Sequence, residues 1–284
     1  MYEAKRAGKD RCVFSEVGET VQASRRVQIA RALRDAQTRG EMHLVYQPII
    51  DLNTGSTVAL EALLRWTSPQ FGIVEPTEFI PITEDTGSIL PIGAWVLLQA
   101  CEATVALAVR GLDLHVNISA IQITHPDFTT WVRQTLAHAQ YPTDRLVLEI
   151  TGSTLTRDDH IAQTNLRNLA ALGVRVALDD VGVGNLSLQW LHDGQLTELK
   201  LDRTLIARLG TDRGRAIAGG VIATAHGAGC TVSAEGVETD DELHHLHALR
   251  CDTAQGFHIA APQPIDDLHW AGLRLHRSAV DDSR

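Results

Sequence analysis

Val174-Arg175-Val176-Ala177-Leu178-Asp179-Asp180 is an apolar, β-branched run that ends on two adjacent carboxylates. The same form recurs outward in both directions. Glu61 closes Val58-Ala59-Leu60, and Glu149 sits in Leu146-Val147-Leu148-Glu149-Ile150. Asp202 follows Leu199-Lys200-Leu201, and Glu235 follows Thr231-Val232-Ser233-Ala234. Ionised groups are excluded from buried strands unless they are paired or bind a cation. Six of them gathered at strand ends would repel one another, so the pattern predicts a divalent metal and a metal-dependent active site.

Around these runs the hydrophobic pattern alternates. It predicts strands over 114–119, 146–150, 174–180, 196–202, 231–235 and 253–257, with helices near 127–139, 158–172, 212–227 and 239–250. Regular β/α alternation implies a parallel sheet, and about eight strands with polar residues at their C-terminal ends favour closure into a barrel. The start is different. His43 to Ile50 and Val58 to Trp66 are joined by the short turn at Asp51 to Gly55, so those two strands must be antiparallel. The expectation is an α/β fold, a TIM-like (β/α)₈ barrel with an antiparallel first strand. Pro76 opens a helix through Glu84, and a longer one from Ile89 to Val109 stops at Gly111. The longest uncharged stretch, Thr86 to Cys101, reads as a buried helix and not a membrane span, because it contains Pro91 and Gln99 and is followed by Glu102.

A chain of 284 residues matches one such barrel, and its net charge of −10 argues against DNA, RNA or an anionic membrane surface as partner. Cys12, Cys101, Cys230 and Cys251 show no C-x-x-C pairing, which points to reduced thiols in a cytoplasmic protein. No signal peptide is legible at the start. His244, His245 and His247 read as a solvated helix face, while Phe79 and Phe257 are open between barrel packing and stacking on a base.

At the strand ends the chain offers Glu61, Asn117, Glu149, Asp179 and Asp180, an oxygen-only set suited to Mg²⁺ or Mn²⁺. Adjacent aspartates suit a pair of ions, one carboxylate bridging and its neighbour holding the second, as in an in-line phosphoryl displacement. Lys200 could bind a phosphate oxygen or orient water, and Arg65 is the natural phosphate clamp. A single strand-end acid is as readily a helix N-cap; the metal reading rests on the repetition.

Glu61-Ala62-Leu63-Leu64-Arg65-Trp66 resembles the signature of the EAL family of cyclic-di-GMP phosphodiesterases. Tyr46-Gln47-Pro48-Ile49, Phe79-Ile80-Pro81, Val116-Asn117-Ile118-Ser119, Leu199-Lys200-Leu201-Asp202, Ala234-Glu235-Gly236-Val237-Glu238-Thr239 and Gln255-Gly256-Phe257 resemble its other motifs, in order. The resemblance implies that Glu61, Asn117, Glu149 and Asp179 bind one metal, and that Asp179, Asp180 and Glu235 serve a second. Lys200, Glu235 and Asp180 would carry catalysis. Gln47, Glu61, Leu63, Arg65, Asn117 and Gln255 would contact the dinucleotide, which opens to linear pGpG. Residues 1–14 similarly resemble the end of a GGDEF domain, implying a longer parent protein with that domain upstream. The layout expected is a GGDEF remnant over 1–14, a linker helix over 15–40, the barrel over 41–272 and a tail over 273–284. The resemblance also links the loop after Asp179-Asp180 to formation of a homodimer.

Two departures stand out. The family's L-E-x-T-E-S is Leu148-Glu149-Ile150-Thr151-Gly152-Ser153 here, and its D-D-F-G-x-G-Y-S-S-L is Asp179-Asp180-Val181-Gly182-Val183-Gly184-Asn185-Leu186-Ser187-Leu188. A loosened loop would misplace Asp180, and a small misplacement costs about a hundredfold in rate. The alternative reading is therefore a receptor that binds cyclic-di-GMP without cleaving it. A domain acting through protein contacts alone is disfavoured, because so many polar groups in a barrel mouth are costly without a ligand.

Overall fold

The computed structural model describes residues 24–108, 111–152, 160–182, 191 and 194–268. The segment resembling a GGDEF end, the loop from residue 183 to 190 and the tail after 268 lie outside the described residues. The chain divides into two compact units, Met1–His43 with Arg65–Ile92, and Leu44–Leu64 with Gly93–Arg284.

The second unit is the barrel. Its strands are β1 (Met42–Asp51), β2 (Thr57–Ser68), β4 (Asp113–Asn117), β5 (Leu146–Thr151), β6 (Arg175–Val181), β7 (Glu198–Leu201), β8 (Thr231–Ala234) and β9 (Thr253–Ala254), the first two running on into the other unit. From β4 to β9 each strand pairs in parallel with the next, and β2 joins β4 in parallel. β1 pairs with β2 and, antiparallel, with β9, which closes eight strands into a ring. The antiparallel first strand follows from the tight Asp51–Ser56 turn, where the Asp51 amide donates to the Ser56 carbonyl at 2.9 Å.

Leu114, Leu146, Leu148, Val176, Leu178, Leu199, Leu201 and Val232 are at most 2% exposed, as continuous apolar runs in a two-sided parallel sheet should be. Helix α3 (Ile89–Ala108) is apolar and long enough, by length and composition alone, to cross a membrane; here Val96, Leu97, Ala100, Cys101 and Thr104 form a buried stripe at helical spacing. Among the described residues the later helices are α4 (Ala120–Ile123), α5 (Phe128–His138), α6 (His160–Leu172), α7 (Arg203–Ile206), α8 (Asp212–Gly227) and α9 (Asp240–Ala248).

In the first unit, α1 (24–33) buries Ile29 and Leu33 and precedes α2 (Pro76–Thr86). Arg25 bonds Glu78 at 2.5 Å and lies over the Phe71 ring at 5.5 Å, so residues ahead of the barrel pack with 65–92. Phe79 is fully buried edge-on to Trp66 at 5.8 Å, which settles its role as packing. A three-residue strand, β3 (Gly72–Val74), pairs antiparallel with the end of β2.

Cys101, Cys230 and Cys251 are buried and unpaired, as the cysteine spacing suggests. Burial, helped by Glu102 beside Cys101 and Asp252 beside Cys251, pushes both thiols up to about 12, and burial raises Cys230 too. A thiol at that value is about one part in ten thousand thiolate at pH 8. Iodoacetamide at pH 8 is therefore expected to modify Cys101 and Cys251 orders of magnitude more slowly in native protein than in urea, read peptide by peptide by mass spectrometry. Labelling of Cys101 within minutes in native protein would contradict this burial.

Candidate functional site

The parallel strands deliver the polar residues to one end of the ring. Asn117 ends β4 opposite Glu149 on β5, and Thr151 lies opposite Asp179 on β6. Glu61 on β2, Lys200 on β7, Glu235 just past β8 and Gln255 just past β9 complete the circle. β/α repetition does this automatically, since every barrel strand after β1 points the same way.

At the centre is Lys200, fully buried. Its Nζ lies 2.5 Å from Glu149 Oε1 and 3.6 Å from Glu61 Oε2, and it also pairs with Glu235. Burial opposes the ammonium charge, but Glu149, Glu235, Glu61 and Asp179 outweigh it and hold the group well above the ordinary lysine value. Four carboxylates therefore face one cation.

Glu61 is the best-supported of them. Asn117 Nδ2 donates to its Oε1 at 2.7 Å, and Gln255 Nε2 donates to its Oε2 at 2.5 Å. Gln255 Nε2 also donates to Gln47 Oε1 at 2.8 Å, and Gln47 Nε2 donates to the Ala260 carbonyl at 2.8 Å. Burial pushes the Glu61 carboxyl up, yet Lys200 and these hydrogen bonds hold it below the usual range. Gln47 and Gln255, expected to contact a dinucleotide, thus also fix the carboxylate of the signature motif.

Glu149 and Glu235 are different. Burial first, then neighbouring carboxylates, keeps both well above the usual carboxylate range despite Lys200. Glu149 Oε2 is buried with no hydrogen-bond partner among the described residues. One oxygen each from Glu61, Glu149 and Glu235 lie within 4.8 Å of one another. A donor set of oxygens short of positive charge, with an orphaned carboxylate oxygen, fits a hard divalent cation. Glu61, Glu149 and Glu235 would hold it, with Asn117 Oδ1 left over from the amide that bonds Glu61.

Asp179 and Asp180 stand outside that tight cluster, although the Asp179 charge acts on Glu149, Lys200 and Glu235. The backbone breaks at this point. The β6–β7 register shifts between Leu178 and Val181, Asp180 takes φ +59°, and its amide donates to Asp179 Oδ1 at 2.8 Å. Strand residues alternate faces, so adjacent carboxylates can serve one mouth only through such a break. Burial, with Asp179 and Asp202 beside it, raises Asp180.

The sixth carboxylate, Asp202, is the N-cap of α7; its Oδ1 accepts the Thr204 amide at 2.8 Å. That is the capping role open to any strand-end acid. Leu63 and Arg65 are half-buried on β2, with Arg65 in the other compact unit. Phe257 is 71% exposed, so barrel packing does not occupy it. His244 and His247 are exposed on α9, and His245 is intermediate.

Sequence reading passed over His115. It lies within β4 between buried Leu114 and Val116, and its Nδ1 is 2.7 Å from Glu149 Oε1. The available signal was period two: His115 shares a strand face with Asn117, and Glu198 shares one with Lys200. Burial lowers the His115 imidazolium below its ordinary value, against the pull of Glu198.

The family model described as the EAL domain matches residues 30–262. The chain belongs to the EAL domain family. It is 36% identical over 272 residues to MucR of Pseudomonas aeruginosa, a bifunctional diguanylate cyclase/cyclic di-GMP phosphodiesterase, covering 94% of this chain and 40% of MucR. A cyclic di-GMP phosphodiesterase of the same organism is 36% identical over 234 residues, covering 81% of this chain and 40% of that protein. The chain therefore spans well under half the length of these relatives. Among solved structures, the P. aeruginosa MucR phosphodiesterase in complex with c-di-GMP superposes with a TM-score of 0.79 at 36% identity, covering 84% of this chain and 98% of that one. The P. aeruginosa FimX EAL domain bound to c-di-GMP gives 0.78 at 25% identity, covering 86% and 99%. This EAL chain thus shares its closed barrel with both.

Proposed function

We propose that this EAL domain hydrolyses cyclic-di-GMP to linear pGpG with Mg²⁺ or Mn²⁺ at the Glu61–Glu149–Glu235 cluster. The observation that carries the reading is a fully buried lysine among carboxylates too numerous for it, one with an orphaned oxygen, in a chain related to cyclic di-GMP phosphodiesterases. A bound divalent ion supplies Lewis-acid charge for the phosphoryl oxygens and lowers the pKa of water. The chain's own residues do the rest. Lys200, held by Glu149 and Glu235, orients the water and offers charge to the phosphodiester as it becomes more negative. The Glu235 side chain is 23% exposed where that of Glu149 is not exposed at all, so Glu235 is the carboxylate that passes the released proton outward. Gln47 and Gln255 keep Glu61 from turning away. Asp179 and Asp180 serve a second ion, and Leu63 and Arg65 contact the dinucleotide. The relatives' greater length and the cyclase in MucR's name support an upstream GGDEF domain in the parent protein.

Turnover is slow on this reading, and a receptor role is the second reading that Gly152 favours. Among the described residues a Cβ at 152 would meet only Leu178 Cδ1, at 3.9 Å, so none of them bars the acid that the family carries. Val181 is 4% exposed, so an aromatic ring there would be buried and anchor the loop. The test is hydrolysis in Mg²⁺ and Mn²⁺ beside cyclic-di-GMP titration in Ca²⁺. Native protein should bind and turn over slowly. Gly152→Glu with Val181→Phe and Asn185→Tyr should raise turnover at least about tenfold with little change in affinity. Brisk native hydrolysis that the triple variant does not improve would remove the loop argument; binding without any hydrolysis in either protein would leave the receptor.

A further inference from the structure

We propose that His115 is a positioning residue for the metal site, donating its Nδ1 proton to Glu149 Oε1 so that Glu149 Oε2 is held free for the cation. The inference rests on the metal reading above and deepens it. Its first support is geometric. His115 Nδ1 and Lys200 Nζ both approach the same oxygen, at 2.7 and 2.5 Å, while Oε2 of that carboxylate is buried without a partner among the described residues. Two contacts on one oxygen and none on the other pin the carboxylate's rotation about its last torsion.

Direction of the hydrogen bond follows from the shared oxygen. Oε1 faces the Lys200 ammonium at 2.5 Å as an ion pair, and an oxygen turned toward an ammonium carries no proton of its own, so the proton between Oε1 and His115 belongs to Nδ1. That choice leaves Nε2 unprotonated, facing Glu198 Oε2 at 4.0 Å, beyond hydrogen-bond reach. The ring itself has no freedom to leave. It is 3% exposed, and its strand is locked in register with β2 at Glu61↔His115 and with β5 at His115↔Val147. Partners that hydrogen-bond a metal ligand typically contribute 10- to 100-fold in affinity, approximately, because they fix its orientation before the ion arrives.

The test compares His115→Leu with His115→Asn. The two replacements have the same shape, and Asn alone keeps a donor at the distance of Nδ1. Mn²⁺ affinity, measured by titration on folded protein, should fall about 10- to 100-fold in His115→Leu and stay within about threefold of native in His115→Asn. Equal affinities in all three proteins would overturn the proposal, and so would an equal loss in both variants. Should His115→Leu fail to fold, native protein supplies the second measurement. In ¹⁵N-histidine spectra, the signal that His115→Asn removes should show the Nδ1–H tautomer; an Nε2–H tautomer or an imidazolium there would sink the assignment. Absence of Mn²⁺ binding in native protein would instead overturn the metal reading, and the tautomer would still report on the hydrogen bond itself.

Discussion

Glu149→Gln is expected to lose Mn²⁺ binding and turnover while leaving the metal-free barrel as stable as native or more so. The two outcomes have opposite signs because the side chain has opposite roles in the two states. Without a cation, Glu149 is a buried carboxylate that burial and Glu61 push toward its neutral form, and Lys200 is shared with Glu235 and Glu61. Glutamine removes the surplus charge at constant shape, and its oxygen still faces Lys200. With a cation, the same change removes a full charge from the ligand set, and activity should fall by more than the ~100-fold typical of a lost outer contact. A site that trades stability for function behaves in this way. Thermal unfolding in EDTA and hydrolysis in Mn²⁺ check the two halves. Undiminished turnover would remove Glu149 from the metal set; a large fall in metal-free stability would mean that its carboxylate is chiefly structural.

The features legible in the sequence are those that repetition enforces. Each β/α unit ends its strand at the same face, so the acids at 61, 149, 179, 180 and 235 announce both the barrel and its mouth. The turn at 51–55 likewise fixes an antiparallel first strand without any tertiary information. Contacts between distant segments left no such trace. Gln47 and Gln255 are 208 residues apart, and nothing local shows that Gln47 holds the amide that bonds the Glu61 carboxylate. β3 went unseen because three residues cannot display a period, and Ile73 is 73% exposed. Asp202 looks in sequence like its five companions, and only the Thr204 amide separates a cap from a ligand. The shift in register beside Asp180 is a backbone feature that no side-chain pattern encodes.

Lys200→Met should be the mirror image of Glu149→Gln. Removing the cation leaves Glu149, Glu235 and Glu61 facing one another in a buried space with no internal counter-charge. Breaking a buried ion pair from one side costs about 3–5 kcal/mol, so the metal-free variant should unfold at clearly lower temperature than native. Mn²⁺ should recover part of that loss, because a divalent ion supplies the charge that the ammonium did, and binding to the folded state alone stabilises it by mass action. Turnover should not recover. An ion at the carboxylates does not replace a donor that orients water and meets charge developing on the phosphodiester, so hydrolysis should remain down by about 100-fold or more while cyclic-di-GMP affinity changes little. A fall of equal size in affinity and in turnover would make Lys200 a ground-state phosphate clamp. Unchanged metal-free stability would mean that the three carboxylates are already neutral without it, and the charge surplus from which the metal site is argued would be gone.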